Sequence, residues 1–282
     1  ELQKPAHAVL EVSLEGGLAR NQWDFWLFPK RLPQPGEGIA VSKPLLAALT
    51  PLYAGLVVAG EPGAEKAEIL ISFLGSPEVA PALAAGKRVI LINQATGKPN
   101  VSLGWWAMGE QVGTAFARHP ALGDLPHEGY LSPLAFRILK VGRRLPGLTG
   151  LRPDEMFVVG EGAGAYYLYA GEAKMGRGRA LMTFGLDLLA GHPEGTCILD
   201  GMIRYARSAA FNPRGEIAVP ATPNGWRKTL VAGDSDQDIL PLGCQQLDVA
   251  RAMKGKNELI WETQPAPENV RAQATYTVTW IG

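Results

Sequence analysis

Cysteine is nearly absent: the 282 residues hold only two, Cys197 and Cys244. Two cysteines do not make the disulfide framework of a small secreted scaffold, and each reads as a small buried hydrophobe. Charge of one sign is not in excess either. Lys+Arg and Asp+Glu are both 27, for a net charge of zero, which argues against a general nucleic-acid binder. No apolar run approaches the ~18 residues of a transmembrane helix, so no membrane partner is expected. The start shows no signal-peptide pattern. Glu1 opens in what reads as a strand lead-in and Gly282 follows directly on another strand-like run. Both ends therefore read as cut from something longer. No internal repeat or low-complexity tract interrupts the chain.

A large core and many turns are well supplied. Hydrophobic residues make up 46% of the chain, with 34 glycines and 22 prolines. Residues 7–28 read as two strands across Gly16-Gly17, the second being the aromatic-dense Asn21-Gln22-Trp23-Asp24-Phe25-Trp26-Leu27-Phe28-Pro29. Two strands cannot bury their own apolar face, so 1–35 reads as the terminal strands of a β-sandwich that must pack on something else. From about residue 36, strands alternate with helices. Ile39–Val41, Leu56–Val58, Ile69–Ile71 and Arg88–Ile92 are apolar on both faces, as the strands of a covered parallel sheet must be. Helices are expected at Pro44–Tyr53 and Pro77–Ala85, and further strands at Met156–Val159 and Tyr166–Tyr169. The clearest helix begins at Pro193, which loses nothing at a first-turn position. Cys197, Ile198, Met202, Ile203 and Ala206 give it one apolar face, and Glu194, Arg204 and Arg207 complement its dipole. The pattern over 36–210 is that of an open, mostly parallel α/β sheet of the flavodoxin-like kind. Residues 211–282 read as a β-rich tail or the start of a further domain, with one helix at Gln245–Met253 and strands at Asn257–Glu262 and Thr275–Trp280.

Chemistry is harder to find. Gly160-Glu161-Gly162-Ala163-Gly164-Ala165 matches a loose dinucleotide fingerprint, but Tyr166-Tyr167-Leu168-Tyr169 follows where a helix is needed to receive the pyrophosphate. A glycine turn between strands is the simpler reading, and no cofactor is expected. Arg177 and Arg179 in Gly176-Arg177-Gly178-Arg179 have the forked geometry that holds phosphate, sulfate or carboxylate; the alternative is a hairpin turn with surface arginines. Trp105 and Trp106 could stack on a sugar, and the neighbours His127 and Glu128 could exchange a proton; the alternative is that the aromatics fill a core beneath a loop. Asp234, Asp236 and Asp238 have the two-residue spacing of a calcium loop, yet Ile239 and Gln245 stand where its glycine and glutamate belong, so a solvated acidic turn competes. The turn after Ile92, Asn93-Gln94-Ala95-Thr96-Gly97, holds no Cys or Ser for a nucleophile elbow. Cys197 lies in a helix without a basic neighbourhood, which does not make a reactive thiol.

The stretch Asn21–Pro29 resembles the strand that closes an immunoglobulin-like sandwich in large bacterial glycosidases of the glycoside hydrolase family 2 type. Gly104-Trp105-Trp106, Ala117-Arg118-His119-Pro120-Ala121-Leu122, Phe157–Gly162 and Gly178–Met182 resemble the α/β domain that follows it there. That domain is similar to the class I glutamine amidotransferase-like fold, also seen as the trimerisation domain of some β-galactosidases. The resemblance covers roughly residues 8–210. It implies a carbohydrate-active, secreted or periplasmic enzyme whose two catalytic glutamates belong to a (β/α)₈ barrel. Such a barrel needs about 250 residues of its own, so no catalytic residue transfers to this chain.

Three functions follow as expectations. The first is a non-catalytic accessory portion of a glycoside hydrolase, packed on a catalytic domain or partner chain and able to form a homo-oligomer. The second is a stand-alone carbohydrate esterase or amidase using His127, Glu128 and Ser102 or Ser132. The third is a carbohydrate-binding module using Trp105, Trp106 and Tyr166–Tyr169.

Overall fold

The computed structural model describes residues 2–13, 20–93, 115–130, 132–141, 151–162, 165–183, 191–219, 258–263 and 272–277. Strands β1 (Ala6–Ser13) and β2 (Arg20–Leu27) pair antiparallel in a two-stranded sheet of their own. Then come β3 (Gln34–Pro35), β4 (Ile39–Val41), helix α1 (Leu46–Leu49), β5 (Tyr53–Ala54), β6 (Val57–Val58), β7 (Ile69–Phe73), α2 (Val79–Ala84) and β8 (Arg88–Ile92). Beyond them lie β9 (Ala115–Phe116), α3 (Pro133–Val141), β10 (Met156–Gly162), β11 (Ala165–Met175), β12 (Gly178–Thr183) and α4 (Pro193–Arg207). A last hairpin joins β13 (Glu258–Thr263) to β14 (Ala272–Thr277).

Eight strands form the main sheet in the order β6-β4-β7-β8-β12-β11-β10-β9. The five strands from β6 to β12 are mutually parallel, as their unbroken apolar sequences require. The other side departs from the doubly wound pattern: β11, β10 and β9 are added antiparallel. The cause is local. Gly162 pairs with Ala165 and Met175 with Gly178, and a connection only two residues long can only reverse a strand. The glycine-rich run after Val159 is thus a strand-to-strand hairpin, and no helix start follows it to receive a pyrophosphate.

Side-chain alternation along these strands feeds two cores. Ile39, Ile69, Ile71, Ile90 and Ile92 join one cluster with Leu49 of α1 and Ile198, Met202 and Ile203 of α4. Leu70, Val89, Leu91, Ala180 and Met182 join the other with Val79 and Leu83 of α2. Helix α4 runs over the residues its apolar periodicity indicates. The helix expected at Pro44–Tyr53 is instead a 3₁₀ turn, Lys43–Leu45, running into the single turn of α1, because Leu52, Tyr53 and Ala54 are drawn into extended pairing with Gln34 and Pro35.

Residues 211–217 pack on the sheet rather than leaving it. Phe211 and Ile217 are buried, Arg179 donates to the Phe211 carbonyl at 2.8 Å, and Lys174 exchanges backbone hydrogen bonds with Gly215 and Ile217. The carboxylate of Glu155, itself 3% exposed, accepts from the backbone N–H groups of Arg214, Gly215 and Arg152.

Candidate functional site

The β1–β2 hairpin carries the most conspicuous surface. Cross-strand partners share a face. The register Ala8↔Phe25, Leu10↔Trp23 and Val12↔Asn21 therefore gathers Leu10, Val12, Trp23, Phe25 and Leu27 on one side. These five side chains remain 45% to 50% exposed. Contiguous apolar exposure on that scale marks an interaction site. The opposite face, on which Val9 is 53% exposed, meets the body only at the His7–Trp26 end of the hairpin. Trp26 and Phe28 pack against the main core, and the His7 ring stacks on Trp26 with centroids 5.2 Å apart. His7 Nε2 meets Asp24 Oδ1 at 2.7 Å and Nδ1 lies 3.8 Å from Glu128.

Just beyond the hairpin, Arg31 locks the chain to α4. Its Nε and second terminal nitrogen donate to the two oxygens of Asp200 at 3.0 and 2.8 Å, a bidentate fork. Its remaining nitrogen donates to the Leu52 carbonyl at 2.8 Å. The guanidinium lies 4.8 Å from the Tyr53 ring centre, and the Tyr53 hydroxyl donates to Asp200 at 2.6 Å. Burial, then the Asp200 carboxylate, hold the Tyr53 hydroxyl far above its ordinary range. The apolar face is thus presented on a fastened element.

A second feature lies at the carboxyl ends of the parallel strands. The chain leaves β4 for β6 and then returns past it to β7, so β4 and β7 flank the point where the winding changes direction. Open α/β sheets place ligands there. Ser42 follows β4, Ser72 lies near the end of β7, and Glu78 precedes α2. The serine hydroxyls are 2.6 Å apart, Ser72 donates to Glu78 at 2.9 Å, and Ser42 donates to the same carboxylate oxygen. Both serines are buried and their two hydroxyl hydrogens are shared within this triangle, which ties two strands to a helix.

The sequence candidates separate. His127 turns its ring toward Phe116, centroids 5.8 Å apart, and burial together with Arg118 lowers its proton affinity. Glu128 turns to the Tyr130 hydroxyl and to His7, so the adjacent pair serves two different neighbourhoods. Ser132 caps α3, its hydroxyl accepting from Ala135 N–H at 3.1 Å. Arg177 is exposed in the β11–β12 turn, whereas Arg179 is committed to Phe211. Cys197 is half-buried, and burial pushes its thiol up to about 11. Trp105, Trp106, Ser102, Asp234, Asp236, Asp238 and Cys244 lie outside the described residues, as do Tyr166 and Tyr167 as side chains. Among the described residues no group of three or more His, Cys, Asp or Glu could hold a metal ion, and no helix is long and apolar enough to cross a membrane.

One cluster was not foreseen. His119, 11% exposed in its side chain, stacks on Phe157 at 4.3 Å and meets the edge of Tyr205 at 5.0 Å. Its Nε2 points at Glu172 Oε2, 4.0 Å away. Glu172 Oε1 is 3.2 Å from the Tyr205 hydroxyl, while Oε2 is buried without a hydrogen bond. Burial lowers His119 to about 4 and raises Glu172 to about 7. The sequence signal for this site is Glu172 itself, a lone acid three residues from the end of a largely apolar strand.

No protein-family model matches the chain, and no curated protein matches it.

Proposed function

We propose that this chain is a non-catalytic accessory portion of a carbohydrate-active enzyme of the glycoside hydrolase class. In this reading the α/β body is an amidotransferase-like brace and β1–β2 is its docking element. The observation that carries the role is the exposed face of Leu10, Val12, Trp23, Phe25 and Leu27 on a hairpin fastened through Trp26, His7 and Arg31. A hairpin with a bare apolar face is stable only when a further sheet or a helix covers it. The enzyme class rests on the resemblance of Asn21–Pro29 and the α/β segments to family 2 type glycosidases, as does a secreted or periplasmic location. The separation of His127 from Glu128, and the use of Ser132 as a helix cap, favour a supporting role over a self-sufficient esterase. The test is turnover of a panel of aryl glycosides and aryl esters by the purified chain. The reading expects none. Turnover that vanishes in His127→Ala or Glu128→Ala would overturn it.

A further inference from the structure

In the His119–Glu172–Tyr205 cluster one hydroxyl hydrogen serves two acceptors, and the protonation of Glu172 decides which of them receives it. The Tyr205 hydroxyl has one hydrogen, yet two acceptors lie within reach, Glu172 Oε1 and the Ala210 carbonyl, each at 3.2 Å. His119 Nδ1 accepts from the Ala121 N–H at 3.2 Å. The imidazole therefore carries its hydrogen on Nε2, which faces Glu172 Oε2 from 4.0 Å, beyond hydrogen-bond reach. A carboxyl hydrogen on Oε2 would face that N–H. A carboxyl hydrogen on Oε1 instead points at the Tyr205 oxygen and frees the tyrosine hydrogen for Ala210.

We infer that Glu172 is a proton-operated latch. With Glu172 protonated, a chain of donors runs from Glu172 Oε1 through the Tyr205 hydroxyl to the Ala210 carbonyl and fastens the exit of α4; with Glu172 ionised, Tyr205 turns its hydrogen to the carboxylate and the Ala210 carbonyl passes to solvent. Ala210 is exposed, so water takes up its carbonyl at little cost. Just beyond it begins the segment held on the sheet by Arg179, Lys174 and Glu155.

The Tyr205 hydroxyl, by donating, favours the ionised form of Glu172, and burial outweighs it; the other groups around the carboxyl add no cation. From α4 comes only the neutral Tyr205, and from the loop before residues 120–122 only His119, fixed neutral by Ala121. The 3₁₀ turn Pro153–Glu155 contributes the acids Asp154 and Glu155, which raise the proton affinity of Glu172 further. On the carboxyl's own strand, Lys174 is spent on Glu216 at 2.6 Å. Desolvation is the largest cause, and the carboxyl rests at about 7, so the latch works across the neutral range.

Two measurements on the whole chain test this. Infrared spectroscopy should show the carbonyl band of a buried protonated carboxyl at about pH 6, absent at about pH 8.5 and absent at both in Glu172→Gln. Hydrogen exchange of 208–217, corrected for intrinsic rate and referred to β7 and β8, should lose about fivefold in protection between those two pH values, the worth of one neutral hydrogen bond. Glu172→Gln, whose amide donates permanently to Tyr205, should stay at the protected level at both. Tyr205→Phe should stay at the unprotected level at both, and serves if the glutamine variant does not fold. A wild type with constant relative protection, a glutamine variant that tracks it, or a pH response surviving in Tyr205→Phe would overturn the latch.

Discussion

Replacing Asp200 by Asn tests how the hairpin is held to the body. The carboxylate accepts two forked bonds from Arg31 and a third from the Tyr53 hydroxyl. Asn keeps the shape but offers one oxygen and no charge, so one Arg31 bond becomes a donor facing a donor. A hydrogen bond to a charged group is worth about 1.5–3 kcal/mol. Stranding a fully buried charge costs about 3–5 kcal/mol. The side chains of Arg31 and Asp200 are 21% and 33% exposed, so water relieves part of that cost, and we expect a loss of about 2 kcal/mol. Urea unfolding measures it. A cycle with Arg31→Ala isolates the pair, and the double variant should recover about 1–2 kcal/mol of the summed single losses. The same variants should speed hydrogen exchange through 28–35 while leaving β7 and β8 unchanged. A loss below about 0.5 kcal/mol, the level of an ordinary surface change, would refute the clasp as a structural fastening.

Other outcomes follow from the same geometry. Glu155→Gln should cost about 1.5–3 kcal/mol, because three backbone N–H groups give up a charged acceptor; limited proteolysis after Arg214 should report the freed segment. Gly201→Ala should destabilise by about 1–3 kcal/mol in thermal unfolding, since a Cβ there would meet Gly123 N at 2.5 Å. The titrating pair makes a signed prediction. His119 binds its proton less well folded (about 4) than unfolded (6.5), so its contribution makes stability rise with pH through that window. Glu172 binds its proton better folded (about 7) than unfolded (4.5), so its contribution makes stability fall as pH rises through its own. Between 4.5 and 6.5 the two oppose and the pair holds one proton in either state, leaving stability flat there. Glu172→Gln should expose a rising slope and His119→Asn a falling one, each up to about 1.4 kcal/mol per pH unit in urea unfolding. Parallel slopes in the two variants would contradict the assignment.

The legible parts of this molecule were those written in short-range periodicity. β4, β7 and β8 carry apolar residues on both faces because both faces are covered, and the run from Pro193 repeats every three to four residues because one side of α4 is buried. The alternation of Leu10 and Val12 against Trp23 and Phe25 likewise spelled a hairpin with one apolar face. The antiparallel half was less visible. β11 continues six residues past Tyr169 through Glu172 and Lys174, and a charge in a strand looks like an ending when its partner is distant in sequence. Tyr205 lies 33 residues from Glu172, and Asp200 lies 169 from Arg31. Neither spacing repeats, so only the folded chain brings these groups together. His127 and Glu128 show the converse: these sequence neighbours meet different partners, Phe116 and Tyr130, and adjacency alone does not make a proton relay.

The central claim is that the outer face of β1–β2 is a docking surface on a supporting domain. Half of an aromatic side chain is on the order of 100 Å², so covering Trp23 and Phe25 is worth about 2.5 kcal/mol each at ~25 cal/mol per Å². Sedimentation velocity with a fluorescent apolar-surface dye, on the isolated chain and on Trp23→Ser/Phe25→Ser, reads this directly. The account predicts that the wild-type chain binds dye and self-associates through the uncovered face, and that the double variant does neither while unfolding at an unchanged temperature. A wild-type chain that sediments as a dye-silent monomer, indistinguishable from the variant, would contradict it.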